Sequence, residues 1–409
     1  MDSYFAGIAG NILHHYDRSL FGLLATTLAL TFFSQTDPVY ALICTYMLMP
    51  LGAISKPIGS LVFGYLGDRI GLQKTLAIIF IGMSVSTASL IFLPTYNEIG
   101  WQASLFLGIV QLLRNFFGAA QTTGTAIFVL DQVKPERKSI VSSLFDASGI
   151  LGTFLASGAT LILHVYGISW RWLFFPSCLN GLIGLLISSR RIVNSNNNLL
   201  KSKKDFGLKI LLEHKKIVVT IAAVSGFSYA NYYIVMTFMN SFLPLVSKVT
   251  HIQTISIQTF LLGFDFFLLP VCGYVATQIG KRRLMSYAIF GVVISAIPLF
   301  MILNQATILS VCFVRIVFTF FGVCLAAPYH AWAIEICPHE HRYLLGAMGV
   351  AIGSRFIGAP IPALSLYLYH KTGWIFAPAL PLIFISLLAL SVLAPRKKPV
   401  ALKEEYIGL

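Results

Sequence analysis

Charge is what this sequence has least of. Of its 409 residues, 57% are hydrophobic and only 11% are Asp, Glu, Lys or Arg, where soluble domains carry about 25% charged residues. That shortage excludes a soluble globular domain. The remaining charge is lopsided, with 29 Lys and Arg against 15 Asp and Glu. A nucleic-acid surface does not follow, because the cations gather in short loops between apolar runs and a positive-inside bias accounts for them. A cysteine framework is also missing: Cys44, Cys178, Cys272, Cys312, Cys324 and Cys337 show no paired spacing, which argues for packing rather than disulfides or metal. No Gly-rich loop ends in Gly-Lys-Ser/Thr, so nothing suggests nucleotide-driven pumping. No cofactor, metal or nucleic acid is expected. Residues 1–10 have neither a basic start nor a small-residue cleavage site, so the first span is expected to act as the insertion signal.

What fills the chain instead is a series of apolar runs, each long enough to cross a hydrocarbon core about 30 Å thick. Twelve spans are predicted. The first six lie near residues 8–33, 38–65, 76–93, 103–130, 140–165 and 172–188. The second six lie near 217–246, 255–277, 284–303, 308–334, 344–369 and 375–394. The expected organisation is a six-helix bundle over 1–189, a linker over 190–216, a second bundle over 217–394 and a tail over 395–409. The linker is basic, with Arg190, Arg191, Lys201, Lys203, Lys204, Lys209, Lys215 and Lys216. Loops with Arg69, Lys74, Lys134, Arg137, Lys138, Lys281 to Arg283 and Arg342 share its side, as does the tail with Arg396, Lys397, Lys398 and Lys403. The other side has only Arg171, Lys248 and Lys371. Both termini are therefore expected in the cytoplasm of a multi-pass plasma-membrane protein.

A charge inside a span costs several kcal/mol unless paired or hydrated, so each one is a functional candidate. Span one opens with Asn11-Ile12-Leu13-His14-His15-Tyr16-Asp17-Arg18. Asp17 and Arg18 point about 100° apart on a helix and cannot simply cancel. His14 shares a face with Arg18 and titrates near neutral pH when unperturbed; the alternative is that the group is merely solvated at the cytoplasmic interface. Lys56, Arg114 and Arg355 fall within spans two, four and eleven, Arg315 early in ten, and Asp146 and Asp265 inside five and eight. A guanidinium clamps a carboxylate with two hydrogen bonds, so Arg114, Arg355 and Lys56 are candidates to line one central cavity. The competing reading for Arg114 is an ion pair with Asp146 or Asp17. Asp131 with Arg137, and Glu335 with Arg342, end spans four and ten as acid-then-base pairs. With Asp68 and Arg69 they read as latches of the kind a two-state carrier needs.

The loop joining spans two and three reads Gly64-Tyr65-Leu66-Gly67-Asp68-Arg69-Ile70-Gly71-Leu72-Gln73-Lys74, and it returns as Gly273-Tyr274-Val275-Ala276-Thr277-Gln278-Ile279-Gly280-Lys281-Arg282-Arg283. Gly64, Tyr65, Ile70 and Gly71 align without a gap to Gly273, Tyr274, Ile279 and Gly280. A repeat half a chain apart implies two homologous halves. The first copy resembles the signature loop of the major facilitator superfamily: a glycine, three residues, then Asp-Arg-x-Gly ahead of a basic pair, here Gln73 and Lys74. The resemblance implies an all-α polytopic membrane protein of twelve transmembrane helices in two six-helix bundles. It also implies that spans two, five, eight and eleven form the rocking interface. That would employ Gly52, Gly59, Gly64 and Gly67, then Gly149, Gly152 and Gly158, then Gly346, Gly349, Gly353 and Gly358; generic helix packing is the plainer explanation.

Further stretches resemble the metabolite:proton symporter branch, which holds proline/betaine, α-ketoglutarate, citrate and shikimate carriers. Gly10 to Asp17 is similar to its G-N-x-x-E-W-[FY]-D, and Lys56-Pro57-Ile58-Gly59-Ser60 to its R-P-[LI]-G-[GA]. Gln111-Leu112-Leu113-Arg114-Asn115 and Gln121-Thr122-Thr123-Gly124 are similar to R-x-x-Q-G and G-E-x-x-G. Phe145-Asp146-Ala147 and Ser169-Trp170-Arg171-Trp172 are similar to the stretch ending in G-W-R-x-P-F. The branch implies a monomeric secondary transporter that moves a small anionic or zwitterionic organic solute by alternating access with protons. Gln111 and Gln121 then join Arg114, Lys56 and Arg355 as solute contacts. His14 and Gln121 stand where the branch has glutamates, which leaves Asp17, His14, Asp146 and Asp265 to titrate. An exchanger, a facilitator or a transporter-like receptor is the alternative. An enzyme is not expected: His339, Glu340 and His341 are the nearest approach to a metal cluster, and such spacing shares no helix face.

Overall fold

The computed structural model describes residues 3–33, 51–167, 169–189 and 207–393. Expectations for 34–50, including Cys44 and the start of span two, lie outside the described residues. So do those for 190–206 (Arg190, Arg191, Lys201, Lys203, Lys204) and for the tail with Arg396, Lys397, Lys398 and Lys403.

The described residues hold helices and no strand. Their order reproduces the twelve spans. Span one is Ser3–Leu23 with Ala25–Phe32, span two Leu51–Ile70, span three Leu72–Phe92, and span four Trp101–Phe117 with Gln121–Leu130. Spans five and six are Lys138–Tyr166 and Phe175–Ser189. Span seven runs from Lys215–Tyr233 into Met239–Val246; spans eight, nine and ten are His251–Ile279, Lys281–Ile302 and Ile308–Ile336. Span eleven joins Arg342–Ile352 to Ile361–Thr372, and span twelve is Ala379–Leu393. Spans three to eleven are each apolar and long enough to cross a bilayer. Large apolar side chains such as Phe92, Phe154, Leu161, Phe267 and Phe384 stay exposed on their outer faces, as lipid contact requires and water does not favour.

Several helices depart from uniformity where the centre of the molecule lies. Span four is interrupted at Gly118–Ala120, directly after Arg114. Span seven widens to a π-type turn at Ile234–Phe238, and span eleven does so at Gly353–Gly358. In the second case the Ala359 amide reaches back five residues to the Ser354 carbonyl at 3.1 Å, and Pro360 follows with no amide to give. Such bulges concentrate at functional positions; this one carries Arg355. The stretch expected as a linker contains a helix, Gly207–Glu213. Its Ile210 packs with Leu344, Leu345 and Met348, with Leu61 and Tyr65 alongside, so it lies over the seam between spans two and eleven.

The internal repeat is visible in the backbone. Gly71 and Gly280 begin spans three and nine with φ 94°, ψ 143° and φ 93°, ψ 134°, a conformation open essentially to glycine alone. Gly64 and Gly273, also aligned, are both points where the halves touch. A Cβ on Gly64 would lie 2.7 Å from the Leu344 Cα of span eleven, and one on Gly273 would strike Ser143 of span five. Gly67 and Gly124 receive the Tyr343 side chain, and Gly346 faces Thr123. Gly52 also faces the other half, at Arg355 of span eleven, but the remaining glycines differ from the interface expectation. Gly149 and Gly152 pack on span one, Gly59 on span four, and Gly349, Gly353 and Gly358 on span seven, all within one half, while Gly158 meets nothing.

These cross-half contacts crowd one end, the end with the basic loops. Gly64→Val is therefore expected to wedge spans two and eleven apart there. Overpacking costs about 1–3 kcal/mol, enough to raise the population opened at that end by about fivefold to a hundredfold. Buried Cys337, beside that seam, is the native reporter: its maleimide labelling should rise. Unchanged labelling of a folded Gly64→Val protein would mean that the seam does not separate.

Candidate functional site

The polar residues of span one divide their attention between two neighbours. Asn11 donates to the Phe145 carbonyl at 2.8 Å and to Ser148 Oγ at 2.9 Å, tying span one to span five. Gly152 permits the close approach, since a Cβ there would strike the Ile12 carbonyl. Asp17 instead faces span four. Arg114 Nη2 meets Asp17 Oδ2 at 2.7 Å and the Asp17 carbonyl at 3.1 Å, while its Nη1 donates to Gln111 Oε1 at 3.1 Å. Thr87 adds a hydroxyl to Asp17 Oδ1 at 3.3 Å, and the guanidinium lies 5.6 Å from the Phe174 ring centre. The paired side chains are 5% and 1% exposed.

Both terminal nitrogens of Arg114 are thus engaged inside the first half. Of the two readings of this residue, the ion pair with Asp17 is the one the geometry contains, and Asp146 is not its partner. A desolvated guanidinium needs a counter-charge, and Asp17 supplies it from the adjacent helix. Gln111 is occupied by the same arginine. Gln121 and His14 are buried close by and within reach of each other, and His14 Nδ1 has no hydrogen-bond partner among the described residues.

Arg18, next in sequence, turns toward the space between the halves and is exposed there. It lies within charge–charge range of Lys56, and Lys56 within range of Arg355. Tyr229, Tyr232 and Tyr233 of span seven surround it. Arg355 extends from its wide turn to span two, where a Cβ on Gly52 would meet Asn115 Oδ1 at 2.9 Å and Arg355 Cζ at 3.5 Å. Lys56 precedes Pro57, which lies inside the unbroken helix Leu51–Ile70 and has no amide to give it. None of the three cations has a carboxylate partner among the described residues. All lie roughly 13 to 17 residues, about 20–25 Å of helix, from the basic end. The structure therefore brings Lys56 and Arg355 near each other, with Arg18 rather than Arg114 beside them.

The carboxylates sit on the other wall. Asp146 Oδ1 of span five and His330 Nε2 of span ten are 3.1 Å apart, a contact between the halves. Asp146 and Asp265 both line a cavity of about 160 Å³ that includes His15, Asn231, Tyr232 and Thr319. Arg315 is structural: wholly buried, it clamps the Thr254 and Val235 carbonyls at 3.0 and 2.8 Å.

Below this level the halves are latched. Asp68 accepts the Tyr343 and Leu344 amides at 3.2 and 3.0 Å, capping the first turn of span eleven where orphan N–H groups favour an anion. Arg342 grips Asp131 with both terminal nitrogens, and the Tyr343 hydroxyl donates to the Ala120 carbonyl at 2.9 Å. Three of the expected latch residues are placed otherwise. Glu335 pairs with Lys281 at 2.6 Å inside the second half. Arg69 lies over the Tyr65 ring of its own helix at 5.1 Å. Arg137 is exposed, without an ion-pair partner among the described residues. Pairing by nearness in sequence misled here, because Arg342 reaches across to span four.

His330 and the tyrosines were missed by sequence reasoning. Tyr229, Tyr232 and Tyr233 share a helix face at i, i+3 and i+4, and His330 is the one histidine within the apolar span ten; either pattern was available as a signal.

The profile of the Major Facilitator Superfamily matches residues 8–341. A glycine betaine/proline/ectoine/pipecolic acid transporter, OusA, of Dickeya dadantii (strain 3937) is 25% identical, over 94% of this chain and 81% of that protein. A citrate-proton symporter of Klebsiella pneumoniae is 24% identical, over 89% of this chain and 84% of its own length. The structure of the proton:xylose symporter XylE bound to 6-bromo-6-deoxy-D-glucose superposes with a TM-score of 0.69 at 12% identity, covering 96% of this chain and 94% of that one. At that identity the likeness is one of fold.

Proposed function

We propose that this chain, which belongs to the Major Facilitator Superfamily and is a secondary transporter rather than an enzyme, carries a small organic solute bearing a carboxylate. The observation behind this is the central trio Arg18, Lys56 and Arg355, three cations gathered without a counter-charge among the described residues. A carboxylate neutralises such a cluster and satisfies its donor forks. The names of the relatives, which include betaine, proline and citrate carriers, fit an anionic or zwitterionic solute. Gln121 stays a candidate contact, whereas Gln111 and Arg114 act by holding span four against span one.

Alternating access is supported by where the latches fall. With the basic loops facing the cytoplasm and both termini on that side, the Asp68 and Asp131 contacts close the cytoplasmic end, and the conformation is outward-facing. The two bundles, 1–189 and 217–394, rock as units in the plasma membrane, and the monomer suffices.

Proton coupling is best supported at Asp146. Its contact with His330 spans the halves and must break when they rock, so its protonation can follow the conformational cycle. Asp17 is held within one half by Arg114, His14 is buried beside Gln121, and Asp265 faces the cavity. The test is uptake of radiolabelled proline, glycine betaine, α-ketoglutarate, citrate and shikimate into proteoliposomes, with and without an inward proton gradient. Gradient-stimulated uptake of one solute is expected, with the stimulation lost in Asp146→Asn. Uptake that ignores the gradient but accelerates with solute loaded inside would replace symport by exchange.

A further inference from the structure

Three oxygens on the second half's wall of the central cavity have no partner. Asp265 Oδ1, Asn231 Oδ1 and Thr319 Oγ1 are buried and unbonded among the described residues. The three residues are 7%, 2% and 4% exposed. They come from spans eight, seven and ten, and all three residues line the same cavity of about 160 Å³. The Asn231 amide is oriented by its Nδ2, which donates to the Phe318 carbonyl at 3.1 Å and leaves its oxygen as a free acceptor. Buried acceptors without donors are rare enough to need an explanation.

Water satisfies acceptors, but it does not neutralise a carboxylate. No described cation pairs with Asp265, and Asp146, the other acid on this cavity, meets His330. The cationic trio is close: Tyr232 lies within charge–charge range of both Arg18 and Asp265. One side of the centre therefore has donors in excess, and the other has acceptors in excess, among them a carboxyl with no cation beside it.

We infer that Asp265, Asn231 and Thr319 form a binding site for a monovalent cation, either a bound alkali ion or the cationic head of the solute. Carboxylate, amide and hydroxyl oxygens are the hard ligands an alkali ion takes. The apolar part of the lining, with Val235, Leu269 and the Tyr232 ring, equally accommodates an alkylammonium group. The inference deepens the carboxylate reading and, for a solute head, rests on it. A solute spanning both walls would be zwitterionic, whereas an alkali ion beside a bound anion would be a second coupling ion.

The test uses full-length protein in nanodiscs, with thermal stability followed against NaCl or tetramethylammonium chloride in an N-methylglucamine background. Saturable stabilisation by one of the two is expected. Asp265→Asn should raise the half-saturating concentration by about tenfold or more, roughly the loss of one charge contact, and Thr319→Val should shift it in the same direction. A response to Na⁺ identifies a bound ion; a response to tetramethylammonium without Na⁺ identifies the solute head. If neither cation stabilises the wild type, or if the folded variants respond as it does, the site is overturned. Should Asp265→Asn fail to fold, Thr319→Val decides alone. Dependence of α-ketoglutarate uptake on Lys56 tests the carboxylate cluster separately, so either idea can fail without the other.

Discussion

Replacing Arg114 by alanine is expected to remove about 3–5 kcal/mol of stability, the usual cost of leaving one member of a buried ion pair uncompensated. The reason is the environment of Asp17. Its carboxylate is 1% exposed and has the Arg114 guanidinium and a single hydroxyl, Thr87, as its side-chain partners. Without the arginine, an acid remains in an apolar surround lined by Phe174 and Tyr16, both buried. Heating in detergent followed by size-exclusion chromatography should show far less monodisperse Arg114→Ala than wild type. The double variant Asp17→Asn/Arg114→Gln should recover part of the loss, because neither charge is then stranded. Retained heat stability together with lost solute affinity would make Arg114 a solute ligand and the ion pair incidental.

That pair shows where sequence reasoning reaches its limit. The twelve spans were legible because apolar length is a direct consequence of bilayer thickness. The two-fold repeat was legible because Gly71 and Gly280 perform one backbone task that other residues cannot. Lys56 and Arg355 were legible as central cations because depth along a span can be counted. What cannot be counted is azimuth. Whether Arg114 faces Asp17, Asp146 or the cavity depends on how spans one, four and five are rotated about their axes, and packing sets that rotation. Arg18 was hidden for the same reason: one residue after Asp17, it turns about 100° away and faces Lys56 and the span-seven tyrosines, which Arg114 does not. The latches failed in part by the same logic, since the Asp131 to Arg342 and Lys281 to Glu335 pairs join residues far apart in the chain.

Lys56→Met is expected to have the opposite profile to Arg114→Ala. Uptake should fall by about 100-fold, corresponding to loss of a desolvated charge contact of about 2–5 kcal/mol, while thermal stability holds or rises. Stability is spared because Lys56 has no carboxylate among the described residues to strand; its charged neighbours are Arg18 and Arg355. Removing one of three like charges from a poorly solvated space relieves repulsion in the empty protein. Arg355→Met should act in the same direction, less cleanly, because its side chain also fills space beside Gly52 and Asn115. Initial uptake rates and unfolding temperatures measured on one preparation separate the cases. A Lys56→Met protein that loses stability and keeps transport would mean that the cluster is held by groups outside the described residues, and the solute would have to bind elsewhere. The expected combination, a carrier made sturdier and idle by the same substitution, is the mark of a site whose cations await a ligand rather than a structural partner.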